Sequence, residues 1–340
     1  MKFIGLDAHS ASVTMAVMNE KGKVLQCVSR TTSAENLIAL ASAVTGEKHL
    51  VVEESGIAQW VKDTLEPYVD KLTVCDPRRN EWIAKDDYND DATSAVKLAD
   101  LLRGGYIKEV AHLDGPPAQL RRAFCHYADL NENLTRFKNK LKAVYRQVGI
   151  APKGGAIYEE TAHEEWIERL KGQPALRGQA QQLFELVDRL AAMKQDTLKA
   201  MLREARQDKG YETLLTVPGI GPVLVCGYIA LIGTPHRFSR KNKLWRYAGL
   251  GNTRHTSDGA VYQDRPSKSG NRLLKWVVMQ HFMGAVERAR TGNVFTRRYD
   301  RLVKDGLTRK VARRQVCRSL LSVVRAVWMK GEAYRETPLS

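Results

Sequence analysis

The sequence predicts an α/β domain at the front of the chain, then a pair of long helices, then a mainly helical back part that is strongly basic. Three observations carry this. Short apolar runs of strand length alternate with helical periodicity over residues 1–110. Over residues 118–148 and 179–206 the apolar residues recur at steps of three and four along single stripes. The charge is partitioned: −4 over 1–110, +3 over 111–205 and +17 over 206–340, within a total of +16. With 340 residues, 43% of them hydrophobic, the chain has material for more than one core, and a wholly disordered chain is excluded.

Phe3–Leu6 reads as a buried strand and Val13–Val17 as a second. Asn19-Glu20-Lys21-Gly22 supplies a hairpin turn, and Val24–Val28 returns as a third strand. A helix follows over 35–44, a strand at Leu50-Val51-Val52, and a helix over 58–65 stopped by Pro67. A fifth strand at 72–75 precedes a helix over 91–103 that ends at Gly104-Gly105. Three hairpin-linked strands, then helix, strand, helix, strand, helix is the element order of a ribonuclease H-like fold. Gly115-Pro116-Pro117 breaks this pattern, and the two long helices could pair as an antiparallel coiled-coil arm or dock as a bundle. Past Tyr211, an apolar helix runs to Ile232, and further helices are predicted at 241–248, 272–288 and 310–329. The expected domains are thus 1–110, 111–205 and 206–340.

Five widely spaced cysteines without a C-x-x-C pair argue against a zinc or disulfide framework and fit a reducing compartment. Asp7 and His9 interrupt any apolar signal core at the N-terminus, and Val223–Ile232 is too short to span a bilayer. The expectation is a cytoplasmic protein whose polyanionic partner is nucleic acid rather than membrane.

Four groups of residues can carry chemistry. Asp7 ends the first strand, Glu53 ends the fourth with Glu54 beside it, and Asp91 opens the helix after the fifth, preceded by Asp86, Asp87 and Asp90. Carboxylates converging on one sheet edge can bind divalent ions that bridge a scissile phosphate. Each acid alone reads as a cap or a solvated loop residue. Gly219 and Gly221, in Pro218-Gly219-Ile220-Gly221-Pro222, can present backbone N–H groups to a phosphate, or simply make a tight turn. In the stretch from Gly249 to Lys275, Ser257 sits on a loop near Arg254, His255, Arg265, Lys268 and Arg272. Such a serine could attack a phosphodiester with the cations stabilising developing charge, although Ser267 and Ser269 compete on composition and Thr256-Ser257-Asp258-Gly259 also reads as a polar turn. The basic run from Arg297 to Arg318 reads as a surface for nucleic-acid backbone or as a solvated helix face.

Taken together, Ile4-Gly5-Leu6-Asp7, Val51-Val52-Glu53-Glu54-Ser55-Gly56, Asp76-Pro77-Arg78-Arg79-Asn80 leading to Asp91 and Lys97-Leu98-Ala99, Pro218-Gly219-Ile220-Gly221-Pro222, Tyr247-Ala248-Gly249-Leu250, and Ser257 with Lys268-x-Gly270-Asn271 resemble the insertion sequence 110 family of transposases. The resemblance covers nearly the whole chain. It implies a RuvC-like (ribonuclease H-like) domain, a coiled-coil arm and a C-terminal transposase domain. It further implies an RNA-guided DNA recombinase acting on donor and target DNA with a guide (bridge) RNA, Mg²⁺ and a phosphoserine intermediate, assembled as a homo-tetramer. Asp7, Glu53 and Asp91 would hold the metal and Ser257 would be the nucleophile. The family's fourth acid falls three residues after the third, where this chain has Ser94; Asp87 and Asp90 are the alternative donors. A metal-only structure-specific nuclease and a non-enzymatic nucleic-acid-binding protein are the competing functions.

Overall fold

The computed structural model describes residues 1–77, 90–113, 115–257, 260–267, 269–289 and 291–336, with the backbone alone at 254–257 and 260–264. It divides into two compact units, Met1–Leu113 and Asp114–Ser340.

In the first unit, β1 (Lys2–Ala8), β2 (Ser12–Asn19), β3 (Val24–Thr31), β4 (Lys48–Glu53) and β5 (Lys71–Cys75) form one sheet in the order β3-β2-β1-β4-β5. The first three strands meander antiparallel, because the Asn19–Gly22 turn allows a direct return: the Asn19 carboxamide oxygen accepts from Lys21 N and Lys23 N, and Gly22 takes a left-handed φ of 81°. β4 and β5 join parallel, each after a helical crossover. Helices α1 (Ala34–Ser42) and α2 (Ala58–Leu65) share one core with Ile4, Leu6, Leu50 and Val52. Helix α3 (Asp91–Arg103) covers the opposite face, where Leu98 packs with Val51 and Cys75.

Gly5 sets how close α3 lies. A Cβ there would stand 2.0 Å from the Ala95 carbonyl oxygen and 2.6 Å from Ala99 N. The helix backbone therefore rests directly on β1, and small Ala95 and Ala99 complete the fit.

In the second unit, α4 (Gly115–Arg146) and α6 (Pro174–Ala205) are each 32 residues long. They run antiparallel: Leu141 and Val144 cluster with Ala180 and Phe184, Lys194 donates to Asn131, and Phe124 shares a core with Met201. A short helix, α5 (His163–Glu168), closes the far end through Trp166. At the near end, Leu120, Phe124, Tyr127, Met201 and Ala205 belong to the same core as residues beyond 211. The helical hairpin and the basic region are for that reason one compact body.

That core is built by α7 (Tyr211–Leu215), α8 (Pro222–Ile232), α9 (Lys241–Tyr247), α10 (Arg272–Phe282), α11 (Val294–Lys304) and α12 (Arg309–Lys330). Two features differ from the sequence expectation. β6 (Asn252–Ser257) and β7 (Ala260–Pro266) pair antiparallel as a hairpin, so Ser257 ends a strand rather than lying in an irregular loop. β6 is polar throughout and β7 is apolar only over Ala260-Val261-Tyr262, so neither strand offers an alternating apolar period to read. The helix predicted over 272–288 stops at Phe282 and continues as a π turn over Met283–Glu287. There the Pro218–Pro222 turn presses in: a Cβ on Gly219 would lie 2.4 Å from Ala285 N, and one on Gly284 would lie 2.7 Å from the Gly219 carbonyl.

Candidate active site

Strand alternation sorts the first unit's acids. Ile4, Leu6 and Ala8 face the α1/α2 core, so Gly5 and Asp7 face α3. On β4, Leu50 and Val52 face the same core while Val51 meets Leu98 of α3, which puts Glu53 on Asp7's side. β1 and β4 pair in register up to Leu6 and Val52, leaving Asp7 and Glu53 as neighbours one step further on. Asp91, the first residue of α3, is carried to the same place because Ala95, Leu98 and Ala99 seat the helix on the sheet.

Donor atoms of Asp7, His9 and Asp91 lie within 4.8 Å of one another. His9 Nε2 is 3.2 Å from Asp7 Oδ1 and 3.9 Å from Asp91 Oδ1, and the Ser12 hydroxyl reaches Asp91 Oδ2 at 3.5 Å. Burial raises the Asp7 carboxyl above the ordinary aspartate value; His9 opposes this, and the nearby Asp91 adds to it. The Asp7 side chain is only 14% exposed, against 49% for Asp91. Two carboxylates and an imidazole this close suit a divalent cation, whose ligand shell with bonds of ~2.1 Å spans about 4.2 Å. The donor set thus fits the metal that the fold implies, and it includes a nitrogen.

His9 escaped the sequence reading, where it served only to interrupt an apolar run. The spacing Asp7-x-His9 was the available signal, since alternate residues leave a strand on one face. Ser94 is partly buried, one turn along α3 from Asp91. Asp90 is the helix N-cap: its Oδ1 accepts from Thr93 N at 2.6 Å, and hydrogen bonding from the Thr93 side chain and then its backbone holds the carboxyl below the usual range. One of its oxygens is therefore committed to the helix, which weakens it as an alternative fourth donor. Asp86 and Asp87 lie outside the described residues. Glu54 leaves the sheet edge: its carboxylate meets His112 Nε2, while His112 Nδ1 lies 2.6 Å from the Gln59 side-chain oxygen.

In the second unit, Ser257 pairs with Ala260 at the tip of the β6–β7 hairpin, past an irregularity at His255/Thr256. Two motifs interlock at its base. Asn271 N donates to the Tyr247 carbonyl at 2.7 Å, and Asn271 Nδ2 donates to the Tyr247 hydroxyl at 3.2 Å. Gly270 meets Gly249 so closely that a Cβ would fall 2.5 Å from Gly249 N. Arg318 Nε donates to the Leu250 carbonyl at 2.8 Å and its Nη2 to Asn252 at 2.7 Å, while Arg314 holds the Leu250 and Gly251 carbonyls. Two arginines of the basic run thus anchor the hairpin, and two others pair with acids: Arg313 with Glu287 and Arg297 with Glu336.

Arg265 and Arg272 are exposed. The Arg254 side chain and all of Lys268 lie outside the described residues. Ser267 and Ser269 hydrogen-bond to each other at 2.7 Å. Gly219, at φ +83°, makes the turn and the close approach to the π segment, whereas Gly221 precedes α8 with open space around it. His281 is fully buried beneath this turn; its Nε2 donates to the Pro218 carbonyl, so Nδ1 accepts from the Tyr228 hydroxyl.

A mixed sheet with acids gathered under α3 is consistent with a ribonuclease H-like transposase domain of the DEDD type. Residues 4–150 match a DEDD family model described as Transposase, and residues 211–300 match the Transposase IS116/IS110/IS902 family. The chain belongs to the IS110 family of transposases. It is also similar to y4pF/y4sB of Sinorhizobium fredii (strain NBRC 101917 / NGR234), a protein carrying a transposase name: 22% identity over 221 residues, covering 61% of this chain and 54% of the relative. The chain spans about half of that relative's length. No described helix is long and apolar enough to cross a membrane.

Proposed function

We propose that the protein is an RNA-guided DNA recombinase of a mobile insertion sequence, which cleaves and exchanges strands through a phosphoserine intermediate. The observation that carries this reading is the gathering of Asp7, His9 and Asp91 donor atoms within 4.8 Å in a chain of this family. Asp7, Glu53 and Asp91, with Ser94 beside them, would hold divalent metal, Mg²⁺ by the family's chemistry. Such an ion would polarise the attacked phosphate. Ser257 Oγ would attack phosphorus, forming a P–O(Ser) bond as the bond to a deoxyribose oxygen breaks, and the departing oxygen would take a proton. One phosphoester replaces another, so a later attack by a DNA hydroxyl reseals the strand without ATP. The anchoring of the hairpin's base by Arg314 and Arg318 supports this role, because a nucleophile must be held in place. Arg254, Arg265, Lys268, Arg272 and the Gly219–Gly221 turn would contact nucleic-acid backbone. The guide RNA and the tetramer rest on the family resemblance; the 111–205 helices as a coiled-coil arm rest also on their apolar stripes, and the cytoplasmic location on the cysteine spacing and the interrupted N-terminal apolar run.

The test is to incubate the protein with Mg²⁺, supercoiled DNA and the transcript flanking its element, then separate under denaturing conditions. Wild type yields a covalent protein–DNA adduct; Ser257→Ala binds nucleic acid but yields none, while Ser267→Ala and Ser269→Ala still do. Cleavage by Ser257→Ala at the normal rate would make water the nucleophile, and the metal-only nuclease would replace this reading.

A further inference from the structure

On the helical unit, two clefts of about 540 and 490 Å³ flank Trp245 and share Arg318. Both volumes fall within the ~300–1,000 Å³ of small-ligand sites. Six cations line them: Lys241, Arg298, Arg318 and Arg325 in one, Lys243 and Arg246 joining in the other. No described lining residue is acidic.

The cations are set out around an aromatic wall rather than scattered. Lys241 Nζ lies 5.7 Å and the Arg318 guanidinium 5.5 Å from the Trp245 ring centroid. The Trp245 indole N–H is anchored from behind, donating at 3.0 Å to the Arg318 carbonyl and the Ser322 hydroxyl. Arg325 is held by two bonds to the Phe238 carbonyl, a neutral acceptor that leaves its charge in place.

We infer that the Trp245 clefts bind a single-stranded stretch of nucleic acid, with phosphates on the surrounding cations and a base against the indole. A concave site with an aromatic wall suits a strand whose bases are unstacked, whereas in a duplex the base faces are covered. This site is distinct from the Ser257 hairpin tip, and it rests on the proposed function only in that a recombinase handles single strands. DNA and RNA strands share the recognised chemistry.

The test uses the full chain carrying Ser257→Ala in EDTA, so that no strand chemistry intervenes and a failed adduct assay bears on a separate question. Labelled oligo(dT) and oligo(U) are titrated across a salt series against the parent, Lys241→Gln/Lys243→Gln and Lys241→Glu/Lys243→Glu, all of exposed side chains. Each phosphate contact contributes about 0.7 to the salt slope for single strands, so losing two lowers the slope by about 1.4 and the affinity about 25-fold at 0.1 M salt. Oligonucleotides carrying 5-iodouracil should photocrosslink to the peptide containing Trp245. The strand type that loses more affinity identifies the natural occupant. Unchanged affinity and slope for both oligonucleotides in both double variants, or a loss seen only with a duplex of the same length titrated in parallel, would overturn the inference.

Discussion

Gly5→Ala is a one-carbon change that should disable the acidic site without touching any donor. The new Cβ would stand 2.0 Å from the Ala95 carbonyl oxygen, 2.6 Å from Ala99 N and 2.9 Å from Leu98 Cβ. Two of these are backbone atoms of α3, so no side-chain rotation relieves the clash. Restoring ordinary contact at about 3.4 Å requires β1 and α3 to separate by about 1.4 Å, an overpacking strain of roughly 1–3 kcal/mol. For a unit of this size each kcal/mol lowers the melting midpoint by about 4–8 °C. The same retreat carries Asp91 away from Asp7 and His9, with which its donor atoms now lie within 4.8 Å. Metal at 100 times its Kd stabilises a protein by about 2.7 kcal/mol, and a tenfold loss of affinity cuts this to about 1.4 kcal/mol. Thermal unfolding in EDTA and in a Mn²⁺ or Mg²⁺ series reads both effects. Gly56→Ala, where a Cβ meets nothing within 4 Å, is the control and should be neutral. A Gly5→Ala protein with the wild-type midpoint and the wild-type metal response would refute the claim that the closeness of α3 to β1 builds the site.

Because burial raises the Asp7 carboxyl, the folded state holds its proton more tightly than the unfolded state does, and ionised Asp7 destabilises the metal-free protein. In EDTA, wild-type stability should fall as pH rises from about 3.8 through the raised value, and Asp7→Asn should be the more stable at pH 7, the gap closing in acid. Equal stability of the two at pH 7 would contradict this. His9→Ala should weaken binding of nitrogen-tolerant Mn²⁺ more than of Mg²⁺, measured by titration calorimetry; an equal effect on both ions would remove the imidazole from the ligand shell. His281, driven down to about 4 by burial, stays neutral in the fold, so its contribution is intact above about pH 6.5 and is lost as pH falls toward 4, by up to roughly 3 kcal/mol. His281→Phe would strand the Tyr228 hydroxyl and the Pro218 carbonyl at a cost of about 1–3 kcal/mol and flatten that acid limb in denaturant titrations; an unchanged limb would exclude His281 as its source.

The sheet was readable residue by residue because its signals are local. Apolar runs of strand length, the Asn19–Gly22 turn and the Gly104-Gly105 stop are short-range features, and the strands and α3 formed within a few residues of where periodicity put them. The acids at strand ends and at the helix start were legible for the same reason, since their positions follow from element boundaries. His9 was not, because its contact with Asp91 crosses 82 positions and depends on how near α3 lies to β1. The β6–β7 hairpin, the π turn under Gly219 and the Trp245 clefts were equally hidden. The hairpin is a local pairing without an apolar period, but its anchoring and the other two features are made by packing between segments distant in sequence: Arg318 against Leu250, Ala285 against Gly219, α12 against α9. Sequence alone determined which elements form and which charges each carries, since backbone preference and amphipathic period act over a few residues. Which of those charges meet, and which glycines are contact surfaces rather than turns, was decided only by tertiary packing, where the ångström-scale approach of two backbones selects the donors that share a site.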